Sequence, residues 1–374
     1  MDCRATLAMT KASMIYLDHQ ATTPLAPEAR DAMLRWMGGP GDTNFGNPHS
    51  PHRMGRMAAA AVEVAREQVA ALLPPGGRVI FTSGATEAVN LALRGFAIEG
   101  ERPTMAVSAI EHACVLDTAH AVAEVEMWSV DREGLLDPQH ALRCQPRLIA
   151  AMQVNNEIGV VQDIAAIHAR ARAEGALLLV DAVQAAGKLP VAGADFIAVS
   201  AHKLYGPKGI GALWVRDGVE WRSTSTGGGQ EQGLRSGTLS PMLCAGFGAA
   251  AAVAKARMAE DEAHCRALFA RASELFADWH WNGSVAARWP GNINIRRDGL
   301  DVARLMSDCR QVMFSAGSAC ASGSGRPSHV LKAIGLTDAQ AKSSIRLGLG
   351  RYTTLAELEE AAAAINAAAR AQEV

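Results

Sequence analysis

The strongest constraint in this chain is an alternation. Short aliphatic runs recur through its first two-thirds, separated by Ala-rich stretches long enough for helices. Arg78–Thr82, Thr104–Ala109, Arg147–Val154, Ala176–Asp181, Asp195–Ser200 and Ile210–Val215 read as strands. Thr86–Ile98, Cys114–Val122 and Ile164–Glu174 read as helices between them. Parallel strands joined by crossover helices are covered on both faces. They therefore show continuous apolar character, as LLLVD and LIAAMQV do here. The expected fold class is α/β, with a mostly parallel sheet flanked by helices.

The pattern changes near Ser240. Met242–Ala277 reads as one long helix. A strand at Asn292–Ile295, a helix near Leu300–Cys309, a strand near Val312–Phe314 and a last helix at Leu355–Ala369 follow. At roughly 150 residues per domain, the 374 residues allow about two. The expected division is a large domain over 15–240 and a smaller α+β domain over 241–374. The segment at about 15–30 is expected to pack with the smaller one.

Composition narrows the function classes. With 49% hydrophobic and 20% charged residues, the chain can bury a large core and is not a disordered one. A net charge of −2 gives no bulk electrostatic reason to bind nucleic acid. The most apolar run, Leu243–Ala254, is short of the roughly 20 residues of a membrane span and reads as a buried helix. Seven cysteines, an odd number with no Cys-x-x-Cys pair, signal neither a disulfide framework nor a zinc site. A reducing, cytoplasmic setting is expected. The opening MDCRATLAMTKASM has no apolar signal core, and clear patterning starts at Ile15.

Several segments carry residues suited to chemistry. Ser83–Asn90 (SGATEAVN) follows a strand and opens a helix, whose N-terminal amides suit a phosphate; the same residues also suit a helix cap. Asp181 ends a very apolar strand, at the edge where open α/β sheets bind ligands. It can pair with a cationic ring nitrogen or a metal, or cap a helix. Lys203 ends another strand before a Gly/Pro-rich turn. A desolvated lysine can form a Schiff base, and Ser200 and His202 flank it. His112, in EHACVL, follows a third strand, and the NNEIG segment a fourth. Gly227–Thr238 is a Gly-rich loop ending in Arg235 and Thr238. Cys320 stands in a loop of Ser, Ala and Gly, where a thiolate can reach both a site and an outside partner. Arg346, in a short apolar strand, can clamp a carboxylate or form a structural ion pair.

Lysine, aspartate, histidine and a Ser/Thr cradle fall at one edge of one expected sheet. A pyridoxal phosphate enzyme needs that set: a lysine for the aldehyde, an aspartate to keep the ring nitrogen protonated, and a cradle for the phosphate.

The motifs LDHQATTPLAPEAR, NPHSPHRMGR, SGATEAVNLAL, EHACVL, NNEIGVVQDI, DAVQAAGKLP, SAHKLYGPKGIGALWVR, GGGQEQGLRSGT, SAGSAC, PSHVLKAIG and SSIRLGLGRYTT run in order from about residue 15 to 354. With them the chain resembles the cysteine desulfurases of the iron–sulfur-cluster type, within the class-V aminotransferase-like, fold-type-I pyridoxal phosphate enzymes. The resemblance implies a large domain with a seven-stranded-type sheet. It implies Lys203 as the Schiff-base lysine, Asp181 against the pyridinium, Gln184 on the ring hydroxyl and His112 over the ring. Ala85, Thr86, Ser200 and His202 would bind the phosphate, with Thr238 reaching across from the second subunit of a homodimer. Asn156 and Arg346 would position cofactor and substrate carboxylate. Lys203 would remove the Cα proton of L-cysteine. Cys320 would attack its sulfur, leaving a persulfide and releasing L-alanine. The implied partner is a sulfur-acceptor protein such as an iron–sulfur scaffold, with no direct nucleic acid or membrane partner and no metal ligands. The implied outlet is cluster assembly or the thiolation of a cofactor or tRNA.

The chain departs from the common family pattern at His19-Gln20, where Asn is frequent first, and at His49, Ala316 and Gly325-Arg326. A selenocysteine lyase or another class-V aminotransferase-like enzyme would share the lysine and aspartate without needing the loop cysteine. A non-catalytic sulfur-binding scaffold would need neither, and intact Lys203 and Asp181 count against it.

Overall fold

The computed structural model describes residues 14–97, 102–317 and 327–373. A short strand β1 (Ile15–Tyr16) precedes helices α1 (Pro27–Leu34) and α2 (Arg53–Ala70). Strands and helices then alternate as β2 (Gly77–Thr82), α3 (Ala85–Phe96), β3 (Thr104–Ser108), α4 (Ala113–Val122), β4 (Glu124–Trp128), β5 (Leu148–Ala150), α5 (Ile164–Ala173), β6 (Leu177–Asp181), β7 (Phe196–Ser200) and β8 (Gly211–Arg216).

Strands β2 to β8 form one seven-stranded sheet in the order β2-β8-β7-β6-β5-β3-β4. Only β8 runs against its neighbours. The six others are parallel, so their C-terminal ends share one edge. Successive side chains divide between two cores, as the period of two in a strand requires. Ile149, Leu178, Val180, Ile197, Val199 and Trp214 face one core. Leu148, Ala150, Leu179, Phe196, Ala198 and Leu213 face the other, packed beneath α3 and α4. Helices thus cover both faces, which is why β6 and β7 read as unbroken apolar runs.

Helix α6 (Pro241–Leu275) connects this sheet to the rest. Ser240 caps it by accepting from the Leu243 N–H, and Pro241 occupies the first turn, where no N–H is needed. Small buried residues let α6 press on α2: a Cβ at Gly248 would meet Ala65 Cα at 2.7 Å. Among the described residues it is the one helix long and apolar enough to cross a membrane. Cys244, Phe247, Ala250, Ala251 and Ala254 on it are instead buried inside the first core.

The chain continues as β9 (His280–Trp281), β10 (Asn292–Arg296), α7 (Val302–Asp308), β11 (Val312–Met313), β12 (Ser315–Ala316), α8 (His329–Ala333), α9 (Asp338–Lys342), β13 (Ser344–Gly348) and α10 (Leu355–Arg370). An antiparallel sheet runs β12-β13-β10-β9. Beta1 pairs with β11, and Asp18 bridges to Gly348, so the N-terminal segment joins the C-terminal sheets. Ile15, Leu17, Ile293, Ile345, Leu358 and Ile365 share that core. Thr354 and Glu357 close a reciprocal capping box at the start of α10.

Candidate active site

Five of the parallel strands end in, or lead into, one cavity of about 490 Å³. Beta2 leads into Ser83–Thr86, β3 into His112, β5 into Asn156, and β6 ends on Asp181. Beta7 adds Ser200 and the turn that carries His202 and Lys203. Gln20, Gln184, Lys208 and Arg346 complete much of the wall. All the expected site residues in the described segments line this cavity except Thr238. Thr238 is exposed on the loop before α6. Cys320 lies outside the described residues.

The lysine is held by backbone. Lys203 Nζ donates to Gln20 O at 2.6 Å and to Ala21 O at 2.7 Å. Thr23 fixes that strap, since its N–H and hydroxyl both donate to His202 O at 2.9 Å. The Tyr205 N–H donates back to Thr23 Oγ1 at 2.7 Å. Residues 20–23 are therefore sewn to 202–205, across 180 residues of sequence, and the amine is aimed before any ligand arrives.

Asp181 is buried, and its Oδ1 accepts from the Val183 N–H at 2.9 Å. Burial pushes its carboxyl above the usual range, although the Val183 N–H, His112 and Lys203 pull the other way. A buried carboxylate of this kind favours a cationic N–H partner. His112 caps α4: its Nδ1 accepts from the Cys114 N–H at 3.1 Å, so the neutral ring carries its proton on Nε2.

The start of α3 faces the same cavity. Gly84 is the N-cap, with no side chain over the first-turn amides, and Ala85 and Thr86 line the wall. Strand β8 comes close enough to form this corner only because it has Gly211. A Cβ there would meet Val199 O at 2.6 Å and Gly84 Cα at 2.7 Å. Lys208, Ser200 and His202 share this side of the site. His202 is pushed down to about 4 by burial, then by Lys203, Lys208 and Lys188, so it is a neutral ring at ordinary pH. An open helix N-terminus, a hydroxyl and an ammonium suit a phosphate.

Arg346 is 1% exposed. It pairs with Asp18 at 2.8 Å and donates to Asn156 O at 3.1 Å. Its Nε has no partner among the described residues. Asn155 shapes the turn that follows it, accepting from the Glu157 and Ile158 N–H groups and donating to Ile110 O. That places Asn156 at the wall. The donor set fits pyridoxal phosphate: an amine, a buried carboxylate, a phosphate cradle and a further buried guanidinium for a carboxylate.

Sequence reasoning did not single out Lys208, Met152, Cys114 or Ala21, which also line the cavity. Gln20 was marked there only as a departure from a family pattern. Its backbone oxygen is what matters, and a side-chain pattern cannot show that.

The family profile described as Aminotransferase class-V matches residues 15–360. The chain is 41% identical to the cysteine desulfurase IscS of Shewanella loihica over 367 residues, which covers 93% of this chain and 90% of that protein. It is 42% identical to the cysteine desulfurase IscS of Shewanella amazonensis over 367 residues, again 93% and 90% of the two chains. Among solved structures, a NifS-like protein superposes with a TM-score of 0.86 at 28% identity, covering 95% of this chain and 98% of that one. A structure described as SspA in complex with cysteine matches at a TM-score of 0.78 and 34% identity, covering 91% and 99%.

Proposed function

The chain belongs to the class-V aminotransferase family, among its cysteine desulfurases, and from that premise we propose that its cavity holds pyridoxal 5′-phosphate and L-cysteine and that the protein releases L-alanine while loading sulfur on Cys320. The observation that carries this reading is the convergence of Lys203, Asp181, His112, the α3 N-terminus and Arg346 on one cavity.

When bound, the cofactor supplies an electron sink for the pair left as the substrate's Cα–H bond breaks. Lys203 would anchor it, Asp181 would pair with its ring nitrogen and Gln184 with its ring hydroxyl. Ala85, Thr86, Ser200 and His202 would hold its phosphate. Arg346 orients the substrate carboxylate with Asn156, which fixes Cα relative to Lys203 Nζ. Lys203 Nζ takes the Cα proton, and His112 Nε2 lies on the same wall to hold or pass one. The Cys320 thiolate attacks the substrate sulfur: the S–S bond forms as the C–S bond breaks. The carbon keeps that electron pair and takes up a proton, which gives alanine.

Further parts of the proposal are a homodimer in which Thr238 serves the partner's phosphate site and a sulfur-acceptor protein such as an iron–sulfur scaffold. Division of the chain at about residue 240 and a cytoplasmic location belong to it too. Cys320→Ala tests the assignment of the nucleophile. Sulfide release with a thiol reductant should fall to background while L-cysteine still perturbs the cofactor spectrum. Unchanged sulfide release in that variant would move the reaction away from a persulfide on Cys320.

A further inference from the structure

We propose that Lys188 is a positioning residue for this site: a buried amine that fixes the Gln184 amide and, through a shared backbone oxygen, ties it to Lys203. The inference rests on the reading above, in which Gln184 meets the cofactor's ring hydroxyl.

Lysine is rarely buried without an ion-pair partner. Lys188 is 8% exposed, and among the described residues the ionisable groups that act on it are Lys203 and Cys265, with no carboxylate among them. Its Nζ donates instead to Gln184 Oε1 at 2.9 Å. Gln184 Nε2 donates to Gln20 O at 3.0 Å. The same Gln20 O accepts from Lys203 Nζ at 2.6 Å. The four residues thus form one hydrogen-bonded chain, Lys188–Gln184–Gln20–Lys203.

Below about pH 7 Lys188 is an ammonium, which only donates, so it selects the oxygen end of the amide. The nitrogen end must then face Gln20 and the cavity that Gln184 lines. One Nε2 hydrogen goes to Gln20 O, which leaves the second for an acceptor such as a ring oxygen.

Local structure makes this seat. After β6 the chain turns helically: the Ala186 N–H donates to Ala182 O at 2.8 Å and the Leu189 N–H to Ala185 O at 2.9 Å. Residues four apart on such a turn share a side, which brings Lys188 to Gln184. Gly187, with φ of +74°, lets the turn press on α6: a Cβ there would meet Ala254 Cβ at 2.8 Å. The titratable groups facing Lys188 are Lys203 and His202 beyond β7, His19 on the N-terminal strap and Cys265 on α6. Burial, and then Lys203, push Lys188 down to about 7.

Removing this amine takes away, below about pH 7, a positive charge from near Lys203, and at any pH it frees the amide to turn its oxygen toward the ring. Both changes favour the protonated form of the lysine-bound cofactor. In Lys188→Met, the pH midpoint of the visible cofactor band should rise by about 0.5–1 pH unit. Cofactor retention, read as a dissociation constant by tryptophan fluorescence, should weaken about tenfold. In Lys188→Gln, which keeps a neutral donor, the midpoint should still rise while retention returns to within about threefold of the parent. In a Gln184→Ala background, Lys188→Met should change retention less than about twofold.

A folded Lys188→Met protein with an unmoved midpoint and unchanged retention would overturn the inference. So would a full additional loss of retention in the Gln184→Ala background. If Lys188→Met does not fold, Lys188→Gln decides: an unmoved midpoint overturns it. A wild-type protein with no cofactor band defeats the proposed function. A wild-type band with unmoved variants defeats this inference alone.

Discussion

Arg346 and Asp18 form an ion pair at 2.8 Å, with the guanidinium side chain 1% exposed and the carboxylate 18%. The pair joins β13 to the strap after β1, the same strap whose carbonyls hold Lys203. The guanidinium proposed for the substrate carboxylate and the amine proposed to move the proton are therefore indexed to one piece of backbone.

The first prediction follows from that pair. Arg346→Ala should raise KM for L-cysteine by about 100-fold, the loss of a charge-assisted, two-pronged contact, while the cofactor band stays. Arg346→Lys should not restore it, because one ammonium cannot reach Asp18, Asn156 O and a substrate together. Steady-state kinetics decides. A normal KM in Arg346→Ala would remove the arginine from substrate binding.

Asp181→Asn should keep the fold and lose about 100-fold or more in kcat, since an amide cannot hold a proton on the ring nitrogen as a carboxylate does. The cofactor should still attach to Lys203, which borohydride fixation and mass spectrometry can read. Near-normal kcat would show that Asp181 faces something other than the ring.

His19 gives a prediction about acid stability. An ordinary histidine titrates near 6.5; burial, and then Lys188, push His19 down to about 4. Between those values the unfolded chain binds a proton that the native one refuses. Stability is therefore lost as pH falls from about 6.5 to 4, by roughly 3 kcal/mol for this one group. His202 shifts in the same direction, also to about 4. His19→Asn should flatten part of the acid limb of a urea-melting profile and leave the pH 7.5 slope unchanged. An identical acid limb in the variant would contradict this account.

The Gly-rich loop has its own anchor. Glu231 pairs with Arg66 at 2.6 Å, with its side chain 2% exposed, and accepts from the Phe81 N–H at 2.8 Å. Glu231→Gln leaves the Arg66 guanidinium with only the exposed Glu63 carboxylate, 3.1 Å away, as counter-charge. Denaturant unfolding should show a loss of about 2 kcal/mol, less than for a buried charge left wholly unpaired. A loss below about 1 kcal/mol would mean that the loop is held elsewhere.

Much of this arrangement was legible in the sequence. The strands that end at the site are buried on both faces, so β6 and β7 appear as aliphatic runs, and the residues just after them are placed by topology alone. Beta4 was not expected. It is an edge strand, EVEMW, whose Met127 and Glu124 are exposed, so it has no continuous apolar run. Helix α2 was not expected either, although it is 18 residues long. Its buried stripe includes Gly55, Ala58 and Ala65, which carry little hydrophobic signal. Beta5 is shorter than its aliphatic run, ending at Ala150. The Ala151 and Gln153 N–H groups still donate to β6 as the chain bends toward Asn155. At the site, residues acting by side chain were recognisable. The backbone oxygens of Gln20 and Ala21 were not, because any residue supplies a carbonyl.

The most direct test of the central claim is the absorbance spectrum of the purified protein before and after L-cysteine, with sulfide and alanine measured together. A pyridoxal band that changes on adding L-cysteine, with alanine and sulfide formed in equal amounts in the presence of a reductant, is the predicted result. No band after incubation with pyridoxal phosphate, or a band with no sulfide and no alanine, would contradict it.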